Sequence, residues 1–158
     1  MTKISKELLG ALESDSAHDL EHVLKEKKKG DFEALQSFLS LDPSINPKHR
    51  AKAIYALGRW GDPAPVADIR RILPRLDEAG RISAIDALGR LGTNEALAGV
   101  LEYVNDPSPH VRKFVAHALG KINTSEARAK LKEIEAKDQV DYIRAIASKY
   151  LKSEHQHP

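Results

Sequence analysis

The 158-residue sequence contains no cysteine, one tryptophan and one methionine, and aromatic residues make up 5% of it. The lack of cysteine excludes a disulfide framework, a thiolate nucleophile and a cysteine-ligated metal site, and it suits a reducing compartment. No apolar run approaches the roughly 20 residues that span a bilayer. The charged N-terminus has no apolar signal-peptide core. These features predict a cytoplasmic protein without a membrane partner.

The sequence also lacks an excess of one charge sign, because 25 Lys and Arg nearly balance 23 Asp and Glu and leave a formal net charge of +2 at pH 7. That value does not indicate a nucleic-acid partner by itself, so the distribution of charge has to decide. A hydrophobic share of 41% and a charged share of 30% suit a single soluble domain with a substantial core.

The clearest pattern in the sequence is a nine-residue stretch that recurs every 31 residues. Residues 81–89 read RISAIDALG, residues 50–58 read RAKAIYALG, and residues 112–120 read RKFVAHALG. A degenerate copy follows at 144–151. A fixed period of this length indicates stacked structural units, which need neighbours to bury their apolar faces. The period predicts one domain of 1–158, with a helical cap at 1–30, helix pairs at 31–61, 62–92, 93–123 and 124–154, and a frayed tail at 155–158.

Helix-boundary residues recur with the same period. One column is typical of the left-handed backbone that ends a helix: Gly30, Gly61, Gly92 and Asn123. Each member precedes a candidate N-cap of an outer helix: Asp31, Asp62, Thr93 and Thr124. Apolar columns such as Leu35, Val66 and Leu97 follow. The last unit has Arg128 in that column, which is typical of a capping repeat.

The motif Asp106-Pro107-x-x-x-Val111-Arg112, followed by Ala118-Leu119-Gly120, resembles the short HEAT-like repeats, including the type first named for phycobilisome lyases. The resemblance covers residues 31–154. It implies an all-α, right-handed α-solenoid of about four HEAT-like helix pairs, with the Ala-Leu-Gly helices lining the concave face. Proteins of this type include scaffolds, chromophore lyases, DNA glycosylases and a di-iron hydroxylase, so the resemblance does not imply one function.

An arginine begins the inner helix of every repeat, at Arg50, Arg81, Arg112 and Arg144. Two interpretations are open. The row could grip a series of anions, or it could form an internal ladder in which each guanidinium bonds Asp or carbonyl groups at the turns between repeats. We favour the ladder, because the HEAT-like pattern carries this arginine in proteins of unrelated function.

The inner helices also carry a stripe that varies between repeats and is predicted to face solvent in the concavity. Its six cations and one carboxylate give a net charge of +5. A one-signed surface with two tyrosines suits an acidic peptide or protein, and a phosphate backbone is the alternative. The candidate binding residues are Lys48, Tyr55, Arg59, Asp86, Arg90, His110, Lys113, His117, Lys121, Tyr142 and Lys149.

The sequence gives little evidence for a catalytic or metal-binding site. The HEAT-like di-iron hydroxylases carry His-Glu pairs at positions where this chain has 51–52 (Ala-Lys), 82–83 (Ile-Ser) and 113–114 (Lys-Phe). His18 and His22 have metal-ligand spacing on a helix, but an exposed helix face explains them better. Asp86 and His117 occupy one column of adjacent repeats, where an ion pair is a hypothesis. Trp60 is expected in the core. We predict no catalytic residue, metal or cofactor.

The favoured function is therefore a non-enzymatic scaffold or adaptor that binds an acidic protein segment on its basic concave face. A nucleic-acid-binding protein is the first alternative, since phosphates would suit the same cations. A bilin lyase or chaperone is the second, and it rests on the family resemblance alone. The sequence gives no information on oligomeric state.

Overall fold

The computed structural model describes residues 4–153, which fold into ten α-helices and one 3-10 turn at Leu73–Arg75. The all-α prediction is confirmed. The helices are α1 (Lys6–Glu13), α2 (Ala17–Glu26), α3 (Asp31–Gln36), α4 (Pro47–Trp60), α5 (Val66–Ile72), α6 (Glu78–Leu91), α7 (Asn94–Leu101), α8 (Pro109–Ile122), α9 (Ser125–Lys137) and α10 (Asp141–Lys152). The predicted frayed tail at 155–158 lies outside the described residues.

Helices α4, α6, α8 and α10 pack side by side as a row of inner helices, and α3, α5, α7 and α9 form the outer row. Glycines of the repeated motif set the close spacing of the inner row. A Cβ atom on Gly58 would lie 2.6 Å from the Cα of Ala87, and one on Gly89 would lie 2.7 Å from the Cα of Ala118. The Ala-Leu-Gly motif thus brings neighbouring inner backbones into contact, which forms the solenoid.

The core lies between the two rows and is built from apolar columns, of which Leu35, Val66 and Leu97 were predicted from the repeat. Fully burying a leucine or isoleucine side chain contributes roughly 1.5–3 kcal/mol, so these columns dominate the stability of the stack. They include Leu35, Val66, Leu97, Ile69, Val100, Leu131 and Ile72 from the outer row, and Ile54, Leu57, Ile85, Leu88 and Leu119 from the inner row.

The ends of the inner helices follow the predicted left-handed column. Gly61, Gly92 and Asn123 are the C-caps of α4, α6 and α8, with φ values of 86°, 67° and 53°. Gly30, with φ of 90°, belongs to the same column and precedes α3. Positive φ favours glycine or asparagine, which explains why the column admits only these residues.

The N-cap predictions hold at two of the four positions. Thr93 and Thr124 cap α7 and α9, each accepting a hydrogen bond from a backbone N–H. The prediction for Asp62 is wrong: its carboxylate accepts from the N–H of Ala64, and α5 begins only at Val66. Asp31 is the first residue of α3 instead of its cap. Proline at 63 and 65 places the Asp62 turn before α5.

The N-terminal cap packs on the first inner helix. The ammonium group of Lys52 on α4 donates to the carbonyls of Leu12 and Ser14 and so caps the C-terminal end of α1. Helix α2 ends at Glu26, because Lys27 adopts a left-handed conformation with φ of 45°. The helix therefore stops before the predicted end at Gly30.

Trp60 is only half-buried, which differs from the predicted core position. Its ring centroid lies 5.6 Å from that of Phe32, and the ammonium of Lys27 lies 5.6 Å from the Trp60 ring. The tryptophan therefore joins the cap to the first repeat at the end of α4. Its position in the last turn of α4 keeps one edge near solvent.

Candidate functional site

The repeated arginines form an internal ladder, as the structural interpretation predicted. Arg81 donates from Nε to the Asp106 carboxylate of the next turn at 3.0 Å and from Nη1 to the carbonyl of Leu76 at 3.2 Å. Arg112 repeats this arrangement with Asp138 at 3.0 Å and the carbonyl of Asp106 at 2.8 Å. The guanidinium groups of Arg81 and Arg112 bind groups of the turns between repeats, so they do not form a row of open anion sites.

A groove of about 580 Å³ lies along the C-terminal ends of the inner helices. Gly58, Gly89 and Gly92 contribute backbone to its lining, and its cations are Arg59, Arg90 and Lys121. The three cations stand in the last turns of α4, α6 and α8, where the helix macrodipole favours positive charge. Because Gly58 and Gly89 carry no side chain and pack against Ala87 and Ala118 of the neighbouring helices, no side chain rises from the groove floor at these two positions.

Asp86 holds two of these cations in an internal network. It accepts from Nε of Arg90 at 3.0 Å and from Nζ of Lys121 at 3.1 Å. The prediction that Asp86 faces solvent is wrong, since its residue exposure is 7%. A buried carboxylate needs paired charges, and the tight packing of α6 against α8 brings Lys121 within reach.

Glu21 is a site residue that the repeat pattern did not reveal. This residue of α2 accepts from the Tyr55 hydroxyl at 2.9 Å and from Nη2 of Arg59 at 2.8 Å. The Tyr55 hydrogen bond and then the Arg59 hydrogen bond hold the pKa of Glu21 below its usual value. Glu21 lies in the cap, outside the repeats, so comparison between repeats gives no signal for it.

His117 pairs with Tyr150 rather than with Asp86. Its Nδ1 lies 3.0 Å from the Tyr150 hydroxyl, and the two rings meet edge to face with centroids 5.7 Å apart. Burial first, and then the positive charge of Lys121, lowers the pKa of His117. The hypothesis of a direct Asp86–His117 ion pair is replaced by this contact, because both carboxylate oxygens of Asp86 accept from cations.

The remaining stripe residues do not line the groove. Lys48, His110 and Tyr142 are exposed at the N-terminal ends of their helices, and Tyr142 has 45% exposure. Eleven residues of helix, about 16 Å, separate Lys48 from Arg59. The Nζ of Lys113 lies 6.0 Å from the Phe114 ring, and Lys149 is exposed on α10. The predicted stripe therefore consists of a groove and scattered surface residues.

The groove is less basic than the stripe predicted. Three cations lie there with the carboxylates of Glu21 and Asp86, which leaves a net charge of +1. Each carboxylate accepts two hydrogen bonds from side chains of this surface: Glu21 from Tyr55 and Arg59, and Asp86 from Arg90 and Lys121. The groove therefore suits a ligand that presents separate carboxylates more than one that presents dense charge.

Metal and membrane features are absent within residues 4–153. No three His, Cys, Asp or Glu side chains there are grouped as a metal ion would require. His18 and His22 are both exposed on α2. In the same part of the chain, no helix has the length and apolar character needed to cross a bilayer.

The profile of the HEAT repeats matches residues 32–102 and 73–152. The chain belongs to the HEAT-repeat family. The two overlapping matches together cover most of the sequence, and they include every inner helix that carries a groove cation. The resemblance proposed from the Ala-Leu-Gly motif is therefore confirmed, and with it the α-solenoid fold.

This HEAT-repeat chain is also similar to a solved structure, the complex of CpcE and CpcF of phycocyanin lyase from Nostoc sp. PCC7120. The TM-score is 0.69 at 20% sequence identity, and the match covers 99% of this chain and 67% of that chain. At this identity the likeness shows the shared fold alone. No protein of curated function matches the sequence significantly.

Proposed function

We propose that this HEAT-repeat protein is a non-enzymatic adaptor that binds an acidic segment of a partner protein in the groove. The observation that carries the proposal is the row of Arg59, Arg90 and Lys121 along the cavity of about 580 Å³. The row follows the stacking direction, so an elongated ligand would meet one cation per repeat.

The geometry of the row favours an extended segment with regularly spaced acidic residues. Neighbouring packed helices lie about 8–10 Å apart, and an extended chain advances about 3.3 Å per residue. One carboxylate every three residues would therefore match the cations of successive repeats. Glu21 supplies an internal example of such a carboxylate, bound by Arg59 and Tyr55 at the first position of the row.

The net charge of the groove favours this ligand over a nucleic acid. Nucleic-acid binding depends on many cations that neutralise phosphates and release counterions. Here Arg59, Arg90 and Lys121 already have carboxylate partners, so a polyphosphate chain would meet Glu21 and Asp86 as well as the cations. A protein segment can place uncharged residues against those carboxylates.

A labelled peptide of about twelve residues, with aspartate at every third position, tests the proposal directly. The wild-type protein should bind it, and the asparagine version should bind at least tenfold more weakly, which corresponds to about 1.4 kcal/mol. The R59Q/R90Q variant should lose a similar factor. K132Q/K137Q, with the same charge change on exposed positions of α9, should bind like the wild type.

The circular dichroism spectrum and the melting curve must show that R59Q/R90Q is folded. If the folded variant binds the aspartate peptide as tightly as K132Q/K137Q does, the groove is not the binding surface. Equal binding of the aspartate and asparagine peptides would also reject the proposal, since charge recognition is its basis.

A bilin lyase or chaperone is the second candidate, and the likeness to the CpcE and CpcF complex of phycocyanin lyase favours it. A bilin carries carboxylates that the groove cations would suit. The described groove has glycine and one isoleucine, Ile122, as its uncharged lining, which offers little apolar surface for a tetrapyrrole. A shift of the bilin absorption band on titration with the protein would support this function, and an unchanged spectrum would oppose it.

A further inference from the structure

The turn that precedes α6 breaks the arginine ladder at one position. In the next two turns an aspartate forms an ion pair with the arginine of the preceding inner helix, in the pairs Arg81–Asp106 and Arg112–Asp138. The residue 31 positions before Asp106 is Arg75. The turn that should supply a carboxylate to Arg50 therefore carries a cation instead.

The Arg50 side chain donates instead to the loop that precedes its own helix, α4. Its Nε donates to the carbonyl of Ser40 at 2.9 Å and its Nη2 to the carbonyl of Asp42 at 3.0 Å. Arg81 and Arg112 use this same Nε–Nη2 edge for the aspartate of the next turn. Arg50 is 9% exposed, and among the described residues no carboxylate is within ion-pair distance of it.

A cavity of about 190 Å³ lies between Arg50 and Arg75. Its other lining includes Pro47 of α4 and Gly80 of α6. A Cβ atom on Gly80 would lie 2.9 Å from the Cβ of Leu76, so the turn is packed inward at Leu76. The guanidinium groups are thus the main polar donors at the cavity, between the N-terminal ends of two inner helices.

One carboxylate of the chain already lines the cavity, and one of its oxygens is engaged by the backbone. Asp77 accepts from the N–H of Gly80 at 2.8 Å as the N-cap of α6. The lining therefore has two guanidinium groups and one carboxylate, a net charge of +1. The N-termini of α4 and α6 add positive potential at the same edge.

We propose that this cavity binds a carboxylate group supplied from outside the chain, with Arg50 and Arg75 as its donors. The carboxylate would take the ladder position that Asp106 and Asp138 hold in the following turns. The Nε and Nη2 of Arg50 already donate to carbonyls, so Arg50 would offer its Nη1 to the carboxylate, and Arg75 would supply the second guanidinium for a charge-assisted hydrogen bond. The site lies at the opposite ends of the inner helices from the groove, and it does not depend on the adaptor function.

Two-dimensional NMR of the arginine guanidinium N–H groups, Nη as well as Nε, tests the proposal, with sodium acetate as the probe at constant ionic strength. The resonances of Arg50 and Arg75 should shift and saturate, and those of Arg81 and Arg112 should stay unchanged because their carboxylates are internal. In R75D, which restores the ladder aspartate, the acetate-induced shift of Arg50 should be lost. In K132D, which makes the same charge change on exposed α9, the shift should remain.

An Arg50 resonance that does not respond to acetate would overturn the proposal, as would a response that survives in R75D. Saturable shifts with phosphate but none with acetate would assign the cavity to phosphate and reject it too. Titration with a blocked peptide that carries a single aspartate then distinguishes the two sources of a carboxylate, by comparison of its affinity with that of acetate. Binding at least tenfold tighter than acetate identifies a partner protein, and binding equal to acetate identifies a free carboxylic acid.

Discussion

Lys121 on α8 donates a hydrogen bond to the buried carboxylate of Asp86 on α6 at 3.1 Å, and this ion pair joins two neighbouring inner helices. The same carboxylate holds Arg90 of its own helix at 3.0 Å. Two of the three groove cations thus depend on one aspartate for their position. The pair has opposite effects on the groove, because it orders the cations and offsets part of their charge.

Replacement of this aspartate should separate stability from binding. D86N removes the charge from both pairs while keeping the shape of the side chain, and it should lower the free energy of unfolding by about 1–2 kcal/mol. The net charge of the groove rises from +1 to +2, so the folded variant should bind the aspartate peptide more tightly. Urea unfolding and peptide titration measure the two effects. Weaker peptide binding by folded D86N would show that the order of the cations matters more than their charge.

The motif glycines should tolerate no side chain, because they set the spacing of the inner row. In G89A the new Cβ would lie 2.7 Å from the Cα of Ala118, and overpacking of this kind costs about 1–3 kcal/mol. Gly10 in α1 is the matched control, since a Cβ there has no neighbour within 4 Å. G10A should stabilise the protein by about 0.5–1 kcal/mol through helix propensity. Equal unfolding curves for the two variants would contradict this account of the stacking.

The repeat period made the frame of the molecule predictable. Each repeat places the same residue types at the same structural position, so the left-handed column with Gly61 and Asn123, the core columns and the arginine ladder all follow from alignment within the chain. The alignment predicts an N-cap at Asp62, but prolines 63 and 65 delay the start of α5 to Val66.

The candidate site was predictable only in part, for a related reason. Arg59, Arg90 and Lys121 share a repeat position, and the structure brings them into one groove. Glu21 lies in the cap, and its contact with Arg59 spans 38 residues, so no repeat pattern reveals it. Asp86 was predicted to be exposed because helix periodicity describes one helix, whereas its burial depends on packing against α8.

The burial of His117 predicts a pH dependence of stability. Its pKa in the folded protein is lowered from the ordinary value of 6.5, first by burial and then by Lys121 and Lys113. The unfolded chain therefore binds the proton more readily, and stability rises with pH in the window between the folded pKa and about 6.5. This contribution is fully present above about pH 6.5 and is lost as the pH falls through the window.

Unfolding of wild type and H117Q in urea at several values between pH 5 and pH 8 checks this dependence. The His117 ring also contacts the Tyr150 hydroxyl, and the charges of Lys149 and Asp86 act on its pKa. Both proteins retain these three groups. The loss of stability on acidification should be smaller in H117Q, and this difference isolates His117 from the other titrating groups. Parallel stability curves for the two proteins would show that the His117 pKa is the same in the folded and unfolded chains.

The ladder should require the arginine fork rather than positive charge alone. Arg112 donates from Nε and Nη2 to the Asp138 carboxylate and from Nη1 to the carbonyl of Asp106, and the compact ammonium of a lysine cannot reproduce this spread of three donors. R112K should therefore lower the free energy of unfolding by about 1–2 kcal/mol, measured by urea denaturation. R71K is the control, because the side chain of Arg71 is 60% exposed and contacts Asp68 and the carbonyl of Leu39 through one nitrogen, Nη2, which a lysine ammonium can replace. If R112K unfolds at the same urea concentration as R71K, charge alone maintains the contact between these turns.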